Sequence, residues 1–459
     1  MDISDNLSVE SKTLKVNVYT SLVALSVLLV SWIVMSQSLK LKAFGKKIDK
    51  IPGPFSIPIL GTLVLIIIPR SEILEVIIRW TRKFKDGCFR LWLLNEPVIF
   101  ISSPDHVQKI LGSKEHLEKA ALYQVLKPLI GNGLITADVP SWKAHRRLLI
   151  NSVNGKMKQD GNVQPLVFSL ASLELGLGCS PLKRYEEDIN AATQELFDYV
   201  VSERRKQRQT HDINTNEINT ESSALKNQKH IGRGALIDTL LDAAEHSENE
   251  ITDEYMKNEL MTFLVAGHDT SSETMLWALF MLGSHPELQD KVHDEMKEIF
   301  GDNRTPEITL DDLSRMTYLD QCIKETLRVY PSVPLLMRKV NTDVELEPDL
   351  IIPAGAEVAF CIPAIHQNPS VYKNPKKFDP ERFAADKIAD IHPYGYCPFS
   401  LGPRNCIGKR LGEVLTKIVL AGFFLNYSVT SLQKPEEVKT VAEVTLGPSK
   451  PIFFHVKRR

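Results

Sequence analysis

Phe399-Ser-Leu-Gly402-Pro-Arg404-Asn-Cys406-Ile-Gly408 sets one cysteine in a loop built from an aromatic, two glycines and an arginine. Each residue type has a role if Cys406 is a thiolate ligand to haem iron. Glycine lets the backbone approach a flat macrocycle and make the bend that aims the sulfur. Backbone N–H groups around such a bend can donate to the thiolate and tune its electron release. Arg404 can form a charge-assisted pair with a haem propionate, and Phe399 can cover the ligand and exclude water. A buried structural cysteine accounts for Cys406 alone, but not for the pattern around it.

Outward from this loop, the 459 residues suffice for a large core, and length alone would allow about two to four domains. Lys+Arg 55 against Asp+Glu 57 is nearly balanced, which argues against a nucleic-acid binder. Cys88, Cys179, Cys322, Cys361, Cys397 and Cys406 are scattered, with no C-x-x-C pair and no zinc spacing. That usage fits reduced thiols in a cytosolic setting.

Val16 to Met35 carries no charge, and about 20 residues cross a bilayer core as a helix. A cleaved signal peptide is the rival reading. The run is longer than a typical signal core, lacks a small-x-small cleavage site and is followed by lysines. Lys40, Lys42, Lys46, Lys47 and Lys50 follow the run, whereas Asp2, Asp5, Glu10, Lys12 and Lys15 precede it. The bias predicts a lumenal N-terminus at 1–15, an anchor at 16–35 and a cytosolic remainder. A basic, proline-rich hinge at 36–54 ends in Ile51-Pro-Gly-Pro54, where proline resists helix continuation. Residues 55–459 then form one large domain, with a polar linker at about 202–234 that is poor in apolar residues.

Pro54 to Ser103 reads as a small sheet with helices between, and Leu60 to Ile68 as too short to span a membrane. His106 to Leu149 is helical, and Gly155 to Gly161 a loop. Helical periods follow at Met256–Ser284, Pro286–Phe300 and Leu310–Tyr330, strand-like pieces at Val344–Ile352 and Glu357–Cys361, and a last helix at Ile407–Leu425. The predicted class is mainly α with small β-sheets.

Ala266-Gly267-His268-Asp269-Thr270 lies inside a long helix, with Gly267 and Thr270 on one face. Mid-helix glycine costs about 1 kcal/mol, and Thr270 can bond back to a carbonyl and open the turn. A kinked core helix and a widened groove both remain open from these residues alone. Glu325-Thr-Leu-Arg328 puts opposite charges one turn apart among apolar neighbours, so a buried pair needing further partners is expected, with Arg382 a candidate. Trp142 and Arg146 share a helix face at i and i+4, and both can donate to a propionate. Lys143, Arg147, Lys409 and Arg410 are either a solvated face or a basic docking patch for an acidic electron donor.

The pattern F-x-x-G-x-R-x-C-x-G, as it stands at Phe399–Gly408, resembles the haem-binding loop of the cytochrome P450 superfamily, the haem-thiolate monooxygenases. The resemblance takes in the hinge, about residues 80–150 and about residues 235–455. It implies the fold of that superfamily, haem b with Cys406 as axial thiolate, and electrons from NADPH through a reductase, with cytochrome b5 as a further donor. It also implies a single-pass endoplasmic reticulum (microsomal) protein and a small apolar substrate: fatty-acid-like, steroid-like or xenobiotic. Ala266 and Gly267 would line the oxygen-binding groove, and Asp269 and Thr270 would relay protons through water. Arg338 would join Trp142, Arg146, Phe399, Arg404 and Gly408 in binding the cofactor, His268 would not be a ligand, and Glu325, Arg328 and Arg382 would form a structural network.

Ile101-Ser-Ser-Pro104 and the Gly267–Thr270 helix look most like family 4, whose members typically hydroxylate fatty-acyl chains near the ω end. Many of them carry a glutamate where Ala266 stands, which esterifies a haem methyl; Ala266 cannot. The stretch from Arg147 to Gly234 is also shorter than the family pattern by about fifty residues. A membrane-anchored haem binder without turnover, its substrate roof shortened, therefore stays beside the monooxygenase reading.

Overall fold

Apolar periods in the second half of the sequence become long helices packed around one another, with a small sheet at their side. The computed structural model of the chain describes residues 44–56, 61–62, 64–93, 96–155, 205–206, 236–246 and 251–459. Its main helices are α1 (Arg70–Lys83), α2 (Pro104–Leu111), α3 (Val139–Gly155), α4 (Leu236–His246), α5 (Asp253–Gly283), α6 (Pro286–Phe300), α7 (Leu310–Arg315), α8 (Thr317–Val329), α9 (Ile362–His366) and α10 (Lys409–Asn426).

Helix α5 runs for 31 residues through the interior. Thr252 caps it by accepting from the Tyr255 N–H, and Asp253 and Glu254 complement the positive end of its dipole. Apolar residues surround most of the helix, as burial on several sides requires. Pro286 opens α6, and Gly301, at φ 61°, ends it. The period expected over Leu310–Tyr330 breaks in two, because Met316 (φ −76°, ψ 69°) leaves helical geometry between α7 and α8. Thr309 and Asp312 form a reciprocal capping box at the start of α7.

A four-stranded sheet has the order β1 (Cys88–Leu93), β2 (Glu96–Ile101), β6 (Glu357–Cys361), β3 (Leu335–Lys339). Only the β2–β6 pairing is parallel, and Arg338 on β3 stands opposite Val358 on β6. Hairpins β4 (Val344–Glu347)–β5 (Leu350–Ile352) and β8 (Thr440–Ala442)–β9 (Leu446–Pro448), and the pair β7 (Tyr427–Ser431)–β10 (Phe454–Arg458), complete the strands. Strand β3 and strands β7–β10 were not anticipated. The Trp277 indole donates to the Leu446 carbonyl at 2.8 Å and stacks on Tyr330, which holds the β8–β9 hairpin against α5.

Helices α5, α6, α8 and α10 enclose one large apolar cluster, including Leu282, Met296, Leu319, Cys322 and Phe424. A second cluster lies between the sheet and α2; Ile48 and Ile51, at the end of the expected hinge, are buried in it. Leu65 packs at the margin of a third, while Ile67 is 78% exposed.

Glu325 and Arg328 are fully buried, and the guanidinium grips the carboxylate through Nε (2.6 Å) and Nη2 (2.8 Å). Arg328 also donates to the carbonyls of His366, Pro375 and Lys377. Glu325 further accepts from the Asp379 N–H at 2.8 Å and has Arg382 Nε at 3.6 Å. Burial raises the Glu325 carboxyl pKa, against the pull of Arg328. The network ties α8 and α9 to the segment leading into the cysteine loop.

Among the described residues no helix is long and apolar enough to cross a membrane. The expected anchor at 16–35 lies outside the described residues. So do the Gly155–Gly161 loop beyond residue 155, most of the linker at 202–234 and most of the stretch read as shortened.

Candidate functional site

Around Cys406 the chain makes two close turns. Ser400 (φ 57°) and Gly402 (φ 74°) adopt left-handed geometry, and the Cys406 N–H donates to the Phe399 carbonyl at 2.9 Å. A Cβ on Gly402 would run into the Leu111 carbonyl, so only glycine fits there. Gly408 precedes α10 and donates its N–H to the Cys406 sulfur, as the loop's composition led one to expect.

Cys406 is exposed, whereas Cys88, Cys322, Cys361 and Cys397 are all buried. Its sulfur opens into a recess of ≈ 520 Å³ lined by Arg146, Asn405, Lys409, Arg410 and Glu413, among others. The recess walls still crowd it: their burial of the thiol raises its pKa, opposed by the Gly408 N–H, Arg146 and Lys119. A thiolate held there gains from a metal cation. No group of three or more His, Cys, Asp or Glu among the described residues could hold a metal ion.

Three cations face the same interior. Arg404 is 7% exposed and Arg338 3%. Arg404 donates to the carbonyls of Leu117 (2.9 Å) and Ala137 (3.2 Å), and its guanidinium lies 4.6 Å from the Trp142 ring centre. Its Nε is buried without a partner. Burial, and then Arg338, push its pKa down to about 10. Lys119 stands over the Tyr123 ring at 4.0 Å; burial, Arg338 and Arg404 hold its pKa well below the usual lysine value. None of the three makes an ion pair among the described residues. Clustered buried cations without a counter-charge favour a bound anion.

Arg404, Arg338 and Trp142 thus come together as anticipated. Arg146 takes a different place. It donates to the Asn405 carbonyl (2.7 Å) and side-chain oxygen (2.6 Å), so it braces the cysteine loop from the sulfur side. Lys119 was missed, because a lysine in a polar stretch carries no local signal. Phe399 is partly buried and packs against the large helical cluster.

On α5, the Thr270 hydroxyl donates to the Ala266 carbonyl at 2.7 Å, while Thr274 and Ser332 hydroxyls donate to the Thr270 carbonyl at 2.7 and 3.0 Å. These bonds supplement the helical ladder, and α5 is helical throughout this stretch. Gly267 is exposed in mid-helix, and a Cβ there would meet nothing within 4 Å. Asp269 Oδ1 and His268 Nδ1 lie 2.9 Å apart in a hydrogen bond. Phe263, one turn before Gly267, packs in one cluster with Ile407 and Trp142, which brings α5, α3 and the cysteine loop together.

A family model described as Cytochrome P450 matches residues 51–172 and 180–455. The chain is 30% identical to Cytochrome P450 4c21 of Blattella germanica, over 90% of this chain and 94% of that protein. It is 28% identical to Cytochrome P450 4V2 of Homo sapiens, over 88% of each chain. Cytochrome P450 4c3 of Drosophila melanogaster is likewise 28% identical over 88% of each. The first alignment runs over 488 positions although 90% of these 459 residues take part, so stretches of that relative have no counterpart here.

Proposed function

The chain belongs to the cytochrome P450 family, and on that premise we propose that this monooxygenase inserts one oxygen atom of dioxygen into a C–H bond of a fatty-acid-like chain. The observation that carries the chemistry is the exposed Cys406 thiol within electrostatic reach of Lys119, which belongs to a cluster of cations with no ion pair among the described residues. The substrate class rests on the likeness to the family 4 relatives.

Bound haem supplies the activation of dioxygen. Cys406 would hold the haem iron through its thiolate, with the Gly408 N–H and Arg146 moderating the sulfur's charge. Arg338, Arg404 and Lys119 would hold the propionates. Gly267 leaves open space on α5, and the Thr270 hydroxyl, anchored on Ala266, keeps its oxygen lone pairs available to accept a proton that Asp269 passes on. Ala266 has no carboxyl, so the haem is not esterified at that position.

Exposed Lys409 and Arg410 line the sulfur-side recess and, with exposed Lys143 and Arg147 on α3, suit an acidic electron donor: an NADPH-dependent reductase, with cytochrome b5 as a second. The uncharged run at 16–35 with lysines after it supports a single-pass endoplasmic reticulum protein with a cytosolic catalytic domain.

The test is the full chain in lipid vesicles with an NADPH-dependent reductase and a saturated fatty acid, followed by mass spectrometry. Hydroxylated product formed with NADPH consumption supports the proposal. A haem-loaded chain that consumes no NADPH favours the second reading, a haem binder without turnover, to which the stretches absent relative to the Blattella germanica protein lend weight.

A further inference from the structure

Helix α5 carries one carboxylate more than the reading above uses. Glu273 stands four residues after Asp269 and three after Thr270, so all three share a helix face. Its Oε2 is buried with no hydrogen-bond partner. Its Oε1 lies against β9, 3.1 Å from where a Cβ on Gly447 would stand. The fully buried Glu325 is satisfied by Arg328 and the Asp379 N–H. The equally buried Glu259 has His145 2.6 Å from its hydrogen-bond-free Oε1 and the Leu134 N–H on Oε2, whereas Glu273 has no cation beside it. A buried carboxylate oxygen left unpaired is costly, most of all when charged, a cost that protonation of the carboxyl lowers.

The charged surroundings point the same way. On its own helix Glu273 faces Asp269, which is bonded to His268. The β8–β9 hairpin meets it with Gly447, and the acidic residue of that hairpin, Glu443, is exposed and 3.9 Å from Arg70. Thr274 and Ser332, bonded to each other beside it, are neutral. Burial, and then the like charge of Asp269, raise the Glu273 carboxyl pKa to about 7, so both of its forms are populated at neutral pH.

We propose that Glu273 is a proton reservoir that recharges Asp269 during turnover, a positioning residue that acts through Asp269 on Thr270. The proposal rests on the monooxygenase reading. In the step, the Glu273 O–H bond breaks and its proton passes, directly or through water, to a carboxylate oxygen of Asp269, where a new O–H bond forms. The electron pair stays on Glu273 as carboxylate, Asp269 hands the proton on towards Thr270, and solvent reprotonates Glu273. No electron moves in the step.

Glu273→Gln and Glu273→Asp are the test, in the full-length haem-loaded chain. An infrared titration with carbon-13-labelled glutamate reads the carboxyl independently of turnover. A protonated carboxyl band that titrates close to neutral pH in the wild type, and vanishes in Glu273→Gln, is expected; no such band, or one unchanged in the variant, overturns the proposal. During turnover, the ratio of peroxide to product in Glu273→Gln is expected to rise on the order of tenfold above neutral pH. That is less than the ~10²–10⁴-fold supplied by a group at the reacting atoms. Glu273→Asp should restore most of the coupling. A ratio equal to wild type at every pH overturns the reservoir role, whereas a wild-type chain that consumes no NADPH overturns the monooxygenase reading itself.

Discussion

His366 should make this protein acid-sensitive well above the range where carboxylates titrate. The ring is fully buried, and both nitrogens are used: the Cys397 N–H donates to Nε2 at 2.9 Å, so the ring proton sits on Nδ1 and meets the Arg328 carbonyl at 3.1 Å. A second proton would have to displace the Cys397 N–H and add charge beside Arg328. Burial, and then Arg328, accordingly lower its pKa from 6.5 to about 3. The unfolded chain therefore binds the proton first as pH falls. The stabilisation from keeping His366 neutral is fully present above about pH 6.5 and is lost as pH drops towards about 3. At 1.36 kcal/mol per unit, that shift amounts to about 5 kcal/mol, against a typical total of about 5–15 kcal/mol. His366→Gln keeps one donor and one acceptor but cannot titrate. Urea unfolding of both proteins from about pH 7.5 to about pH 4.5 should show the wild type losing up to about 1.4 kcal/mol more per pH unit than the variant. Parallel curves would refute the assignment of that sensitivity to His366.

Glu325→Ala should cost about 3–5 kcal/mol, because it strands the fully buried Arg328 guanidinium; calorimetric melting checks it, and a loss below about 1 kcal/mol counts against the network. Gly402→Ala should prevent stable haem retention, since the new methyl meets the Leu111 carbonyl at a positive φ; gel filtration followed by Soret absorbance reads retention, and wild-type retention contradicts the loop geometry. Thr270→Ala should keep haem while diverting reducing equivalents to peroxide, and an unchanged peroxide-to-product ratio would remove its proton-handling role.

Local chemistry decided what could be read from the sequence. Pro286 and Gly301 bracket α6, so both of its ends were legible. The break between α7 and α8 was hidden, because Met316 is itself buried and satisfies the apolar period across the kink. Strand β3 follows Pro331 and Pro334 too closely to show a period, and β8 and β9 span three residues each. At the site, Gly402, Cys406 and Gly408 act through their own backbone neighbourhood and were visible as a motif. Arg146 and its partner Asn405 are 259 positions apart, and Lys119 owes its role to Arg338 and Arg404 converging on it from elsewhere in the chain. No spacing rule reveals such contacts.

The central claim is that Cys406 is the haem thiolate, and the carbon monoxide difference spectrum of the reduced protein tests it most directly. A neutral hydroxyl cannot replace the anionic sulfur as a ligand, so Cys406→Ser should lose the thiolate-type Soret band. Cys397→Ser, at a buried cysteine bonded through its backbone to His366, should keep it. A Cys406→Ser protein that retains the thiolate-type band would contradict the account.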